Sequence, residues 1–400
     1  MRHFGIKVYG VRTPIINKGD DFAEIAAASF LEAVRAENIT VKESDILGIT
    51  EAVVAKAQGN FASIDDIAAD VRAKFGGGDV GVVFPIISRN RFLSILKGIS
   101  RGAAKVYVLL SYPFDEVGNP VMDAEAAFDV EEKLGGLMKA KDFRDICGDY
   151  IHPFTGIDYI KEYGQAGDNV EVYLSNDCRD ILKLTNNVLV SDIHTRHITK
   201  KRIKNAVGAC PPGQEPKVPS RAARVFTLAD ILAKPVNGSG FNDMYGVLGS
   251  NVSTDETLKL YPRDCEALVA AVRQKIYNST GVMIEALVYG DGAFKDPACG
   301  IWELADPVVS PAYTERLEGR PNEVKIKYLA DNNFAGLSGS EKDEAVKKML
   351  KNKDGAYALG TTPRKYADLI GSLCDLASGS GDKGTPLVYI QGYFDNYADE

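Results

Sequence analysis

Between residues 79 and 111 the chain sets down an apolar run, DVGVVFPII (79–87), a short helical segment from Arg91 to Gly102, and a second apolar run, KVYVLLS (105–111). Runs of this length suit buried strands and fall well short of a membrane span. A helix between two such strands is the connection that parallel pairing requires. The segment therefore predicts a mixed or parallel sheet and places the protein in the mixed α/β class. No G-x-G-x-x-G follows any of these strands, which leaves a dinucleotide site of the Rossmann type unsupported.

The same patterns extend along the chain. Residues 4–10 (FGIKVYG) read as a strand. Asp20 or Asp21 caps a helix whose apolar face carries Phe22, Ile25, Ala26, Phe30 and Ala33. Residues 45–57 begin as a buried strand and run into a Lys-Ala turn, and Asp123 to Ala140 reads as a helix. Strands are expected at 170–174 and 186–193. The Pro- and Gly-rich stretch 208–221 is a loop or linker and the best interior boundary, and 234–246 is a second loop. The last third predicts a helix from Arg263 to Tyr277, a strand at 282–289, a helix from Glu341 to Leu350, a helix opened by Thr361-Thr362-Pro363, and a closing strand at 387–393. Three regions are expected: 1–111, 112–245 and 246–400.

Charge narrows the partners. The 400 residues hold 47 basic and 55 acidic side chains, a net charge of −8, which argues against a protein built to hold nucleic acid or an anionic membrane. No apolar run reaches the roughly 18 residues of a membrane span, and MRHFGIKVYG lacks the pattern of a signal peptide, so a cytoplasmic protein is expected. Six cysteines occur without a C-x-x-C pair; in a reducing compartment they read as buried thiols.

Several groups carry possible chemistry. The strand at 282–289 leads into Gly290-Asp291-Gly292, where a carboxylate backed by glycines can approach a hard cation or a phosphate; the alternative is an ordinary turn. Lys56, just past an apolar strand, can hold a phosphate or carboxylate, or be a solvated surface group. Arg89 and Arg91 sit where a strand gives way to a helix, a place suited to anions, or are surface charge at a turn. His194 and His197 share one helical face but lack an acidic partner at a metal-binding spacing. The glycine-rich stretch 378–386 follows a helix instead of preceding one, which is wrong for a phosphate-cradling loop.

Taken in order, these pieces resemble the coenzyme F-420 gamma-glutamyl ligase family. Gly10-Val11 followed by Ile15-Ile16-Asn17-Lys18-Gly19-Asp20-Asp21 is similar to its G-I … I-x-x-G-D-D-L opening. Asp45 to Thr50 and Val53 to Gly59 resemble its G-D-V-x-V-x-x-Q-K-x-V-S-K-A-E-G segment. Ser250-Asn251-Val252 with Leu260-Tyr261-Pro262-Arg263-Asp264 resembles S-N-V … L-L-P-x-D, and Tyr289-Gly290-Asp291-Gly292 stands in the place of V-S-D-T. Leu376-Ala377-Ser378 with Gly384-Thr385-Pro386-Leu387-Val388 resembles the closing L-x-x-G-x-x-x-G-x-P-x-x-V. Residues 112–245 show no counterpart and read as an insertion or a rebuilt region.

The resemblance implies a two-lobed mixed α/β (α+β) fold, an intertwined homodimer, and small-molecule substrates. It implies ligation of the amino group of glutamate to a carboxylate through an acyl phosphate, with GTP or ATP and Mg2+ or Mn2+. It makes Asp291 a metal ligand, has Asn251 arrange that site or the nucleotide, and gives Lys56 the phosphate charge. The family's acid before S-N falls here on Leu248, its threonine after the strand-end Asp on Gly292, and its Q-K pair on Glu51-Ala52. Asp243, Asp255 or Asp296 would then have to supply a further metal ligand. A binding protein on the same scaffold, holding a nucleotide or small acid without turnover, is the other reading these departures leave open.

Overall fold

The structure is a computed structural model. It describes residues 3–116, 118–207, 223–235, 241–290, 293–295, 302–304, 308–351, 364–378 and 383–398. The linker at 208–221, the Thr361-Thr362-Pro363 cap, Asp291, Gly292 and Asp296 lie outside the described residues.

In chain order the elements begin β1 (Lys7–Val11), α1 (Phe22–Ala36), β2 (Ile46–Thr50), α2 (Glu51–Gln58), β3 (Phe61–Ser63), α3 (Ile64–Phe75), β4 (Val80–Val83), α4 (Ser94–Gly102) and β5 (Val106–Leu110). They continue with α5 (Ala124–Phe128), β6 (Met138–Lys139), α6 (Ala140–Cys147), α7 (Tyr159–Gly164), β7 (Val170–Leu174), β8 (Asn187–Val190), α8 (Arg196–Ala206) and β9 (Arg224–Thr227). The rest are β10 (Asn251–Thr254), β11 (Thr257–Lys259), α9 (Cys265–Thr280), β12 (Glu285–Gly290), β13 (Ala293–Lys295), β14 (Trp302–Leu304), β15 (Val309–Tyr313), α10 (Ile326–Tyr328), α11 (Gly339–Lys351), α12 (Tyr366–Ser378) and β16 (Leu387–Gln391). The protein is mixed α/β, as the alternation of strands and helices predicts.

The chain forms two compact units, one of Met1–Gln58, Asp264–Gly292 and Pro307–Glu400, the other of Gly59–Arg263 and Ala293–Asp306. The first unit is built on a five-stranded sheet in the order β1-β16-β2-β12-β15, with β2 and β12 parallel and the other pairs antiparallel. Its central strands are buried on both faces, which is why they read as unbroken apolar runs. Successive side chains serve opposite faces: Leu47, Ile49, Ala286 and Val288 pack with α1 and α9, whereas Ile46, Leu287, Val388 and Ile390 pack with α12. Asp21 caps α1 by accepting from Glu24 N, as its position before the apolar face predicts.

At Gly48 the helix α12 lies close against the sheet. A Cβ on Gly48 would stand 2.4 Å from Cys374 Sγ. Gly48→Ala is therefore expected to lose about 1–3 kcal/mol by overpacking, read as a lower urea midpoint; an unchanged midpoint would show that α12 has room to shift.

The second unit centres on a six-stranded sheet ordered β6-β7-β5-β4-β8-β9. All neighbours are parallel except β6, which pairs antiparallel with β7. The chain starts this sheet in its middle at β4, adds β5 and β7 on one side, then returns to add β8 and β9 on the other. That is a doubly wound sheet with its direction of winding reversed between β4 and β8. A three-stranded antiparallel sheet, β10-β11-β3, and the β13-β14 hairpin belong to the same unit.

Two expectations are corrected. Residues after Thr50 do not continue into a Lys-Ala turn; β2 passes directly into α2, with the acidic Glu51 in the first turn and Lys56 in the last, each favoured by the helix dipole there. The span from Asp123 to Ala140 is not one helix; it holds α5, a 3-10 turn at Glu131–Lys133 and strand β6. Gly136, with φ 63, bends the chain just before β6. Cys147, Cys178, Cys265 and Cys374 are buried free thiols.

His152 in the second unit is 9 % exposed, and its Nδ1 accepts from Thr155 N at 3.1 Å. Burial holds its pKa below the ordinary 6.5. The folded chain thus binds this proton less readily than the unfolded chain. The stability tied to the neutral ring is complete above pH 6.5 and is lost as pH falls through and below that value. Denaturant titrations between pH 7.5 and 5 should therefore show a smaller acid loss in His152→Gln than in the parent (about pH 6.5 for onset); parallel profiles would rule His152 out as the sensitive group.

Candidate functional site

In the first unit, β2 and β12 run parallel with Thr50 paired to Tyr289. Their carboxyl ends therefore leave the sheet side by side, and the next residues are Glu51 and Gly290. A Cβ on Gly290 would lie 2.0 Å from Glu51 Cγ, so the Glu51 side chain crosses a position that only glycine can occupy. Glu51 is buried, 4 % exposed. Asp291 follows Gly290 directly in the chain and lies outside the described residues. The glycine before Asp291 is thus explained by the close passage of a second acid, one the sequence reading had not singled out. The available signal was the register: an acid directly after β2, opposite the Tyr289-Gly290 pair.

Glu51 also bears on a neighbouring thiol. Burial first, and Glu51 second, push the Cys265 thiol up to about 12. Cys265 therefore stays protonated and offers no thiolate as nucleophile or soft metal ligand. Lys56 lies five residues beyond Glu51 on α2, roughly 140° around the helix, and is exposed. The loop before α1 meets this helix, with Gly19 N donating to Ala57 O at 2.7 Å. Asp20 there accepts from Asn17 N. Residues 10–21, 45–58, 289–290 and 383–388, drawn from four of the family-like segments, accordingly share the first unit.

The other candidates belong to the second unit. Arg89 and Arg91 fall in a π-helical turn, Arg89–Leu93, opened by Ser88, whose side chain accepts from Arg91 N. Arg91 is only 4 % exposed, and its guanidinium donates to Gly249 O at 3.5 Å. It thus reaches the loop that carries Ser250 and Asn251. Asn251 opens β10, half-buried and paired with Lys259. Asp255 is exposed in the turn between β10 and β11. Its neighbour Glu256 is held by Arg101 through two bonds of 2.7 and 2.9 Å. Leu248, at the family's acid position, is buried in the apolar core of this unit. His194 and His197 are both exposed. Among the described residues no group of three His, Cys, Asp or Glu side chains could hold a metal ion, and no helix is long and apolar enough to cross a membrane.

Fold and geometry define a mixed α/β protein with a buried acid, Glu51, where two parallel strands end. The family model described as F420-0:Gamma-glutamyl ligase matches residues 10–392, and the chain belongs to that family of amide-bond ligases acting on small molecules. The match runs through 112–245, where no family motif is visible in the sequence. No curated protein matches the chain.

Proposed function

We propose that the protein joins the amino group of an amino acid, glutamate in the family, to a carboxylate through an acyl phosphate formed from GTP or ATP. One observation supports this site most directly: the buried Glu51 carboxyl lies over Gly290, one residue before Asp291, at the ends of two adjacent parallel strands.

A carboxylate is a poor electrophile. In the first step an acceptor carboxylate oxygen attacks the γ-phosphorus, a P–O bond forms, and the bond to the β-phosphate oxygen breaks. In the second the amine attacks the acyl carbon, a C–N bond forms, inorganic phosphate departs, and the amine loses a proton. Both steps concentrate negative charge on oxygen.

The donors fit a hard divalent cation such as Mg2+ or Mn2+, which binds through one or two carboxylates and completes its shell with phosphate oxygens and water. Glu51 and Asp291 would hold it, and when bound it supplies charge neutralisation at the transferring phosphoryl group. Asp296 and Asp255 remain further acid candidates. Lys56 would neutralise phosphate charge. The family resemblance carries a homodimer as well, to be checked by sedimentation.

The reaction is tested by phosphate release with GTP or ATP, manganese, glutamate and a panel of carboxylates that includes the deazaflavin precursor. Release that needs all the components supports the ligase. Nucleotide binding without release across the panel favours the binding-protein reading, for which the burial of Leu248 in the core speaks.

A further inference from the structure

Where the winding of the six-stranded sheet reverses, the second unit holds a crevice of about 200 Å³, walled by the segments that follow β4, β5, β7 and β8. The segment after β5 is a strap that brings Phe114, Asp115 and Glu116 to the wall, and the start of α8 brings His194, Thr195 and Thr199. The strap is self-contained. Phe114 bridges to Pro120, Asp115 N donates to Asn119 O at 2.9 Å, and Val121 N donates to Pro113 O at 2.9 Å. Asp115 spends its carboxylate inside the strap, accepting from Asn119 N at 2.8 Å and Asn119 Nδ2 at 3.1 Å.

Glu116 ties this strap to α8. Its Oε1 accepts from Ile193 N at 2.6 Å, and its Oε2 accepts from His194 N at 2.9 Å and Thr195 N at 3.3 Å. Glu116 and Phe114 are otherwise exposed, so moving the strap outward uncovers little apolar surface.

A second carboxyl holds the same turn. Asp192 is 1 % exposed, and its Oδ2 accepts from the Thr195 hydroxyl and, at 2.9 Å, from the Thr199 hydroxyl. Its Oδ1 is buried with no hydrogen-bond partner among the described residues. Thr195 thus carries Glu116 on its N–H and Asp192 on its hydroxyl. Two charged carboxylates at one residue repel, and a single proton relieves them. A carboxylic acid keeps one oxygen to accept from N–H groups and has an O–H to offer a carboxylate. Loss of water around the carboxyl first, and Asp192 after it, hold Glu116 above its ordinary 4.5 against the pull of the N–H groups it caps. Loss of water raises Asp192 as well. The other ionisable groups around the pair are His194 and Arg196 on α8, the Cys178 thiol near Asp192, and Arg202 on the crevice wall. Arg196 donates to Ile193 O, and Arg202 lies 3.9 Å from Asp177, so neither guanidinium neutralises the pair by direct contact.

We propose that Glu116 and Asp192 share one proton and form an acid-closed clasp across this crevice. The strap closes on α8 at low pH and comes away once both carboxyls are charged. In the open strap Glu116 meets water and titrates as an ordinary carboxyl, so the closed form binds the proton more readily. Closure is therefore favoured most below the ordinary 4.5 and weakens as pH rises through the raised value of the closed form. The inference goes beyond the ligase reading and uses no residue assigned to it.

Hydrogen exchange of the full chain between pH 5 and 8, corrected for the intrinsic pH dependence of exchange, tests it. Protection of the Ile193, His194 and Thr195 amides and of the strap amides at Asp115 and Val121 should fall at least about threefold as pH rises. Amides of β4 and β5 should stay constant and report the fold. Glu116→Gln carries no charge at any pH, so its profile should be flat. Asp192→Asn removes the repelling charge and should move the fall to lower pH. His194→Gln should leave the fall in place. The inference is overturned if the parent profile is flat or rises with pH, if Glu116→Gln falls as the parent does, or if His194→Gln abolishes the fall. A folded Asp192→Asn with an unmoved profile overturns the shared proton; should that variant fail to fold, Glu116→Gln, changed at an exposed residue, decides. The readout involves no phosphate release, so the ligase reading stands or falls separately.

Discussion

Glu51→Gln is expected to lower turnover by roughly 10²–10³-fold, several kcal/mol of transition-state stabilisation, with the fold retained. Glutamine keeps the length and shape of the side chain, so it can still cross Gly290, where a Cβ would lie 2.0 Å from Glu51 Cγ. What it loses is the negative charge that a divalent cation needs at the end of β2. Asp291→Ala should give a loss of the same order. The two carboxylates would hold one cation, so the double variant should fall little further than either single one. The measurement is phosphate release at saturating nucleotide over a range of manganese concentrations, with circular dichroism as the control of folding. Activity of Glu51→Gln within threefold of the parent would move the chemistry away from the ends of β2 and β12. A larger manganese requirement at otherwise normal turnover would instead mark Glu51 as an affinity determinant.

The two acids differ in how they could be read. Asp291 stood out because glycines flank it after an apolar strand. Glu51 did not, because nothing local marks it: β2 passes into α2 without a loop, a glycine or a capping serine. EAVVAKAQ carries two adjacent β-branched residues and a weak apolar face, so it reads as the frayed end of the strand. Only pairing across more than two hundred residues, Thr50 to Tyr289, places Glu51 beside Gly290. The central strands were legible because burial on both faces leaves an apolar run in the sequence. Their order was not, because winding in a parallel sheet is decided by contacts far apart in the chain, and the loop after β4 lacks the glycines that usually advertise it. Arg91 shows the converse. At a strand-to-helix junction it suggested an exposed anion site, yet a π-helical turn carries it inward to Gly249 O, beside the loop of Asn251.

Asp45→Ala should be the most damaging substitution away from the strand ends. Asp45 is 2 % exposed and closes the turn that leads into β2. Its Oδ2 accepts from Lys42 N at 2.8 Å and from the Tyr389 hydroxyl, and its Oδ1 accepts from Gly392 N at 3.1 Å. One carboxylate therefore ties the entry of a central strand to β16, some 340 residues away in the chain, and to the residue that follows it. Hydrogen bonds to a charged acceptor contribute about 1.5–3 kcal/mol each, and removing the acceptor strands buried donors at a further cost. Alanine should thus lose about 3–5 kcal/mol, which for a unit of this size lowers its melting midpoint by roughly 10 °C. Tyr389→Phe removes one donor and leaves the carboxylate its two backbone partners, so its cost should be nearer 1–2 kcal/mol. In a double-mutant cycle the two losses should fall short of adding, since the hydroxyl has no acceptor once Asp45 is gone. Strict additivity would mean that the Tyr389 hydroxyl and Asp45 act separately. A loss below about 1 kcal/mol for Asp45→Ala would mean that water takes the place of the carboxylate, and that the first unit does not depend on this tie between β2 and β16.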